Sequence, residues 1–168
     1  MLNNQLEKKL QLSEDLGRRL IEKNAFVTTI ESCTGGGLAY AITEVPGSSA
    51  YIKQSWVTYS NEAKMSLVGV KAKTLDRYGA VSKDTVVEMA NGGLLRSAAD
   101  YAVAISGIAG PTGGSAHKPV GLVWFAIATK STTVSFNRKF SGDRHLVREQ
   151  AIVLAIEKLI DCIVQEPN

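Results

Sequence analysis

A serine and a lysine stand in two short segments whose surroundings suit acyl transfer. Ser32 lies in Glu31-Ser-Cys-Thr-Gly-Gly-Gly37, between a β-branched run and a helical pattern. A helix start offers unpaired N–H groups and positive potential. A serine there can aim its hydroxyl at a bound carbonyl while neighbouring N–H groups hold the developing oxyanion. Glycines let a ligand approach the backbone closely. The same residues read equally as a Ser/Thr cap followed by a Gly-rich turn, because short glycine motifs are weakly specific. Lys64 ends the run Tyr59-Ser-Asn-Glu-Ala-Lys64. If a helix begins at Ser60 or Asn61, Lys64 falls in its first turn, where the helix dipole disfavours a positive charge. Burial there would lower its pKa further. A lysine neutral near pH 7 can take a proton from a serine hydroxyl. Tyr59 is placed to relay or donate a hydrogen bond. A solvated lysine after a helix cap is the plainer reading of the same segment.

Two further segments could hold an anion. Gly107 to Lys118 is crowded with glycine, including Gly110, Gly113 and Gly114, and follows an apolar run ending at Ser106. Successive N–H groups in such a loop can form an anion-binding concavity. It lacks Gly-Lys-Ser/Thr, and no helix follows it, so neither a Walker loop nor a dinucleotide fingerprint is present. A surface Ω-loop accounts for it equally well. Arg144 and Arg148 have i,i+4 spacing at a helix start and could grip a phosphate or carboxylate. An exposed charged face is the alternative. His117 and His145 share no metal-like spacing with each other or with Cys33 and Cys162, and those two cysteines suggest neither a disulfide framework nor a zinc site.

The elements that must position these residues alternate along the chain. Leu6, Leu10, Leu16 and Leu20 predict an amphipathic N-terminal helix ending near Asn24. Strands are expected at Phe26–Ile30, within Tyr51–Tyr59, at Tyr101–Ser106, and at Val120–Thr129 and Thr132–Phe140, the last two as a hairpin turning at Lys130-Ser131. Helices are expected at about Leu38–Thr43, Asn61–Val68, Lys73–Tyr78 and from a Ser82 cap to about Arg96, with Val86, Met89, Ala90 and Leu94 inward. A last helix opens near Asp143, with Ile152, Ile156, Leu159 and Ile163 on its apolar side. The mixture predicts a single-domain, layered α/β/α sandwich over residues 1–168 with a mixed sheet. The chain has 168 residues, 45% hydrophobic and 21% charged, with a net charge of +3. That composition opposes disorder, and no apolar run is long enough to span a bilayer. Basic residues are interleaved with acids, which argues against a nucleic-acid footprint. No signal peptide is evident, so a cytoplasmic protein without a membrane partner is expected.

Thr29–Gly36, Val57–Lys64, Gly79–Ser82, Ser106–Pro111, Gly113-Gly114, Lys118–Gly121 and Phe140–Arg144 together resemble, in that order, the signature of the CinA C-terminal domain family. Its members include nicotinamide-nucleotide amidases. The resemblance implies an α/β sandwich that hydrolyses the carboxamide of nicotinamide mononucleotide without metal or organic cofactor. Ser32 then maps to the nucleophile, Lys64 to the general base, and Tyr59 to a further site residue. N–H groups of Cys33, Thr34 and Gly35 would steady the oxyanion. Ser106, Gly107, Gly110, Gly113 and Arg144 map to segments that would hold the nucleotide. The partner implied is a small-molecule nucleotide, and a homo-oligomer is allowed. Many members carry a further N-terminal domain resembling molybdopterin-binding proteins; with a first helix starting almost at Met1, that domain is expected to be absent here. A catalytically silent paralogue, acting as a nucleotide-binding or regulatory module, is the competing expectation.

Overall fold

Strands β1 (Val27–Glu31), β2 (Trp56–Val57), β3 (Tyr101–Gly107), β4 (Leu122–Thr129) and β5 (Thr133–Lys139) form one mixed sheet in the order β2-β1-β3-β4-β5. The computed structural model describes residues 2–166, with side chains from residue 6 onward. β1 runs parallel to both β2 and β3, and β4 pairs antiparallel with β3 and β5. The helices are α1 (Leu2–Glu22), α2 (Gly37–Thr43), α3 (Asn61–Val68), α4 (Ala72–Tyr78), α5 (Lys83–Ser97) and α6 (Arg144–Gln165).

Alternation along the strands sorts side chains by size onto the two faces. Tyr101, Val103, Ile105, Val123, Phe125 and Ile127 meet α1, α2 and α6 in one core. Ala102, Ala104, Ala126 and Ala128 line the other, against α3, α4 and α5. The alanines pair across β3 and β4, Ala102 with Ala128 and Ala104 with Ala126. That low surface lets α5 lie close to the sheet. Gly93 of α5 is so near that a Cβ would sit 2.3 Å from Ile30 Cδ1, and one on Gly92 would sit 1.7 Å from Val68 O of α3. α3 is therefore docked through α5, and α3 carries Lys64.

The expected elements are present within a residue or two at most ends. The strand expected within Tyr51–Tyr59 is short, Trp56–Val57, with a single bridge from Ile52 to Val27 before it. One expectation needs correction. In α1 the buried stripe is Lys9, Ser13, Leu16 and Leu20, whereas Leu6 and Leu10 are exposed. Lys9 reaches inward to Glu149 at 2.9 Å, which a purely apolar pattern does not anticipate. Among the described residues, no helix is long and apolar enough to cross a membrane.

Candidate active site

Strands β1, β2 and β3 are parallel, so their carboxyl ends open at the same edge of the sheet. Ligands of open α/β sheets bind in that region. Ser32 follows β1, Thr58 follows β2 and Gly107 ends β3. Because β4 returns antiparallel to β3, and β5 runs antiparallel to β4, the Ile108–Gly121 loop and the start of α6 reach this edge too.

The Ser32 segment does not pass straight into a helix. A turn intervenes, with Gly35 and Gly36 at φ of 58° and 95°, a region that glycine enters without strain. The Ser32 N–H donates to Ile105 O at 2.9 Å, which extends the ladder by one residue. Gly35 N–H donates to Ser32 O and Gly37 N–H to Thr34 O, each at 3.0 Å. The Gly35 N–H is therefore engaged within the turn, contrary to its expected place in the oxyanion site. The Thr34 N–H makes no hydrogen bond among the described residues, and the Cys33 N–H meets only its own sulfur. Nor is the start of α2 vacant. Its Leu38 and Ala39 N–H groups donate to the Glu31 carboxylate at 2.8 and 3.0 Å.

Lys64 reaches Ser32 from α3. Ser60 caps that helix, its Oγ accepting from Ala63 N–H at 3.0 Å, so Lys64 lies in the first turn as its spacing implied. Its side chain is 1% exposed. Lys64 Nζ lies 3.0 Å from Ser32 Oγ and donates to Thr58 O at 2.8 Å. Burial pushes its pKa below the ordinary lysine value, and the neighbouring Cys33 sulfur offsets this only in part. The arrangement is a serine hydroxyl in contact with an amine whose charged form is disfavoured by burial. Cys33, by contrast, packs into the larger core, and burial pushes its thiol up to about 11. A thiol so held is a poor nucleophile.

Tyr59 is 57% exposed, and its hydroxyl accepts from Arg144 Nη2 at 2.8 Å. Arg144 Nη1 donates to Gly110 O at 2.9 Å. Arg144 thus joins Tyr59 to the Gly-rich loop, and the Tyr59 hydroxyl makes no bond to Ser32 or Lys64. The expected pairing of Arg144 with Arg148 splits in two. Arg148 Nη2 turns instead to Thr34 O at 3.2 Å. Its Nε and the Thr34 hydroxyl are both buried without a partner among the described residues.

Two expected binding residues serve the frame. The Ser106 hydroxyl donates to Ala80 O at 2.8 Å, and Gly107 admits no Cβ, which would lie 2.7 Å from Val123. Lys118 Nζ donates to Tyr78 O and anchors the base of the Gly-rich loop, while residues 111–117, with Gly113 among them, are exposed. No group of three His, Cys, Asp or Glu among the described residues could hold a metal ion. A cavity of about 640 Å³ opens at the far end of the sheet, beside Ala25, Asp100 and Thr129, and none of the residues above line it.

Sequence reasoning did not assign Glu31 or Thr58. A carboxylate ending an otherwise uncharged strand was the available signal for Glu31. Thr58 acts through its carbonyl, which every residue has, so its type carries no signal.

Comparisons with known proteins identify the family. Residues 9–163 match the CinA C-terminal domain. A protein of Shigella flexneri named nicotinamide-nucleotide amidohydrolase PncC is 54% identical over 151 residues, 89% of this chain and 92% of that protein. The crystal structure of the competence/damage inducible protein CihA from Agrobacterium tumefaciens superposes with a TM-score of 0.91 at 41% identity, covering 94% of this chain and 96% of that one. That of the competence damage-inducible protein A from Klebsiella pneumoniae gives 0.92 at 37% identity, covering 95% and 99%. The chain belongs to the CinA C-terminal domain family.

Proposed function

We propose that this chain is an amidohydrolase that converts nicotinamide mononucleotide to nicotinic acid mononucleotide and ammonia, with Ser32 as nucleophile and Lys64 as base. The observation that carries the reading is the buried Lys64 Nζ at 3.0 Å from Ser32 Oγ. Relatives named nicotinamide-nucleotide amidohydrolase, 54% identical over most of the chain, support the substrate.

Neutral Lys64 takes the Ser32 proton as Oγ bonds to the carboxamide carbon. The Thr34 N–H, which has no partner among the described residues, and the Cys33 N–H, which meets only its own weakly accepting sulfur, receive the oxyanion. Lys64 returns the proton to the amide nitrogen, the C–N bond breaks, and ammonia leaves. Water then adds to the ester carbon, giving its proton to Lys64. The C–Oγ bond breaks, Ser32 regains its proton, and the carboxylate product departs. Arg144, held between Tyr59 and Gly110, sets a guanidinium against the Gly-rich loop and is suited to the nucleotide phosphate.

Ammonia release from nicotinamide mononucleotide, measured for the wild type, Ser32→Ala and Lys64→Ala, tests the reading. Loss of turnover in both variants is expected, and equal rates in all three would sink it. Calorimetric binding without turnover in the wild type would favour the silent nucleotide-binding module instead.

A further inference from the structure

The reaction above gives no task to one fully buried ionisable side chain at the site, Glu31. We propose that the Glu31 carboxylate is a positioning residue for Ser32, strapping β1 to α2 so that the turn between them holds the hydroxyl and the Cys33 and Thr34 N–H groups in register. The inference rests on the Ser32–Lys64 reading and deepens it.

The turn from Ser32 to Gly36 has little regular structure to fix it. Two of its residues are glycines at positive φ, and Gly36, at the N-cap of α2, has no side chain to cap the helix. An ordinary cap would come from the N-cap residue itself. Here the acceptor comes from the preceding strand and crosses the turn. Oε1 accepts from Leu38 N–H at 2.8 Å. Oε2 accepts from Ala39 N–H at 3.0 Å and from the Thr29 hydroxyl at 3.2 Å. Both ends of the nucleophile turn are thereby tied to one carboxylate. The main chain of Glu31 fixes the other half of the pair. Its carbonyl accepts from Thr58 N–H at 2.7 Å, and the Thr58 carbonyl holds Lys64 Nζ. Glu31 is thus the common reference for nucleophile and base.

The carboxylate also answers the positive end of α2, so the oxyanion falls to the N–H groups inside the turn, whose direction depends on the strap. Glutamine at this position would keep one acceptor and set an NH₂ group against the second helix N–H. A displacement of the order of 1 Å at a reacting group costs about 100-fold in rate.

The test compares the wild type, Glu31→Gln and Ser32→Ala for nicotinamide mononucleotide hydrolysis and for labelling of Ser32 by phenylmethanesulfonyl fluoride, a probe with no nucleotide features. Glu31→Gln is expected to lower kcat by about 10- to 100-fold with KM within about twofold, and to slow labelling by a similar factor. Wild-type kcat and labelling in folded Glu31→Gln, beside an inactive Ser32→Ala, would overturn the positioning role alone. A raised KM with kcat intact would overturn it as well. Full activity in Ser32→Ala would overturn the catalytic reading and this inference with it. If Glu31→Gln does not fold, Thr29→Val, which removes one donor to the carboxylate, takes its place. A lower kcat at constant KM supports the proposal there, and an unchanged kcat overturns it.

Discussion

Replacing Lys64 by methionine removes the buried amine and keeps an unbranched side chain of similar reach. Two hydrogen bonds go with it, to Ser32 Oγ and to Thr58 O. At about 1 kcal/mol net each, their loss costs about 2 kcal/mol. Against this stands the burial of an ionisable group, where each unit of pKa depression is worth about 1.4 kcal/mol. The folded-state pKa of Lys64 is lowered, while in the unfolded chain it titrates near about 10.4. Between those two values the unfolded state binds more protons, so stability rises with pH, at most by about 1.4 kcal/mol per pH unit. Below the folded pKa both states hold the proton and the penalty is constant; above the unfolded pKa it vanishes. Methionine has no proton to lose. The stability of the wild type relative to Lys64→Met must therefore climb as pH rises toward about 10.4 and then level off. Urea unfolding at several pH values measures this. Ammonia release measures the other half, a fall in kcat of about 100- to 10,000-fold for loss of a general base. A stability difference independent of pH would refute the argument from burial, and retained turnover would refute the argument for the base.

Tyr51 is buried with its hydroxyl unpaired among the described residues, so Tyr51→Phe should raise stability by about 1 kcal/mol, read as a higher urea midpoint. A Cβ on Gly17 would lie 2.6 Å from that hydroxyl, so Gly17→Ala should destabilise the wild type more than it does Tyr51→Phe, as a double-mutant cycle would show. Gly92→Ala would gain about 1 kcal/mol of helix propensity on an open helix, yet its Cβ would meet Val68 O at 1.7 Å. The clash wins: a net loss of more than about 3 kcal/mol is expected in thermal melts, with a lower kcat because α3 must shift and carries Lys64.

The layered fold was legible because period-two strands and capped amphipathic helices are local signals. Ser60, Ser82 and Asp143 each accept the N–H that their cap positions predict. The Ser32–Lys64 pairing was legible only as a resemblance supported by a plausible helix start. What escaped the sequence is directional. Arg144 and Arg148 share a helix face by spacing, yet they reach different partners, because Tyr59, Gly110 and Thr34 converge on α6 from three distant segments. The Gly35 N–H was expected to be open, and a turn bond that depends on two positive φ values engages it. α1 misled for a related reason, since Lys9 finds Glu149 only once α6 is folded against it.

The groups proposed to cleave the amide all lie between Glu31 and Lys64, while the loop and arginine proposed to grip the nucleotide lie between Ile108 and Arg144. Arg144 on Tyr59 joins the two stretches, while Arg148 on Thr34 and Ile105 on Ser32 brace the first from either side of the second. On the proposed roles, chemistry and recognition occupy separate, contiguous blocks of the gene, so substitutions in the second block would alter the grip on the nucleotide while leaving Ser32 and Lys64 in place.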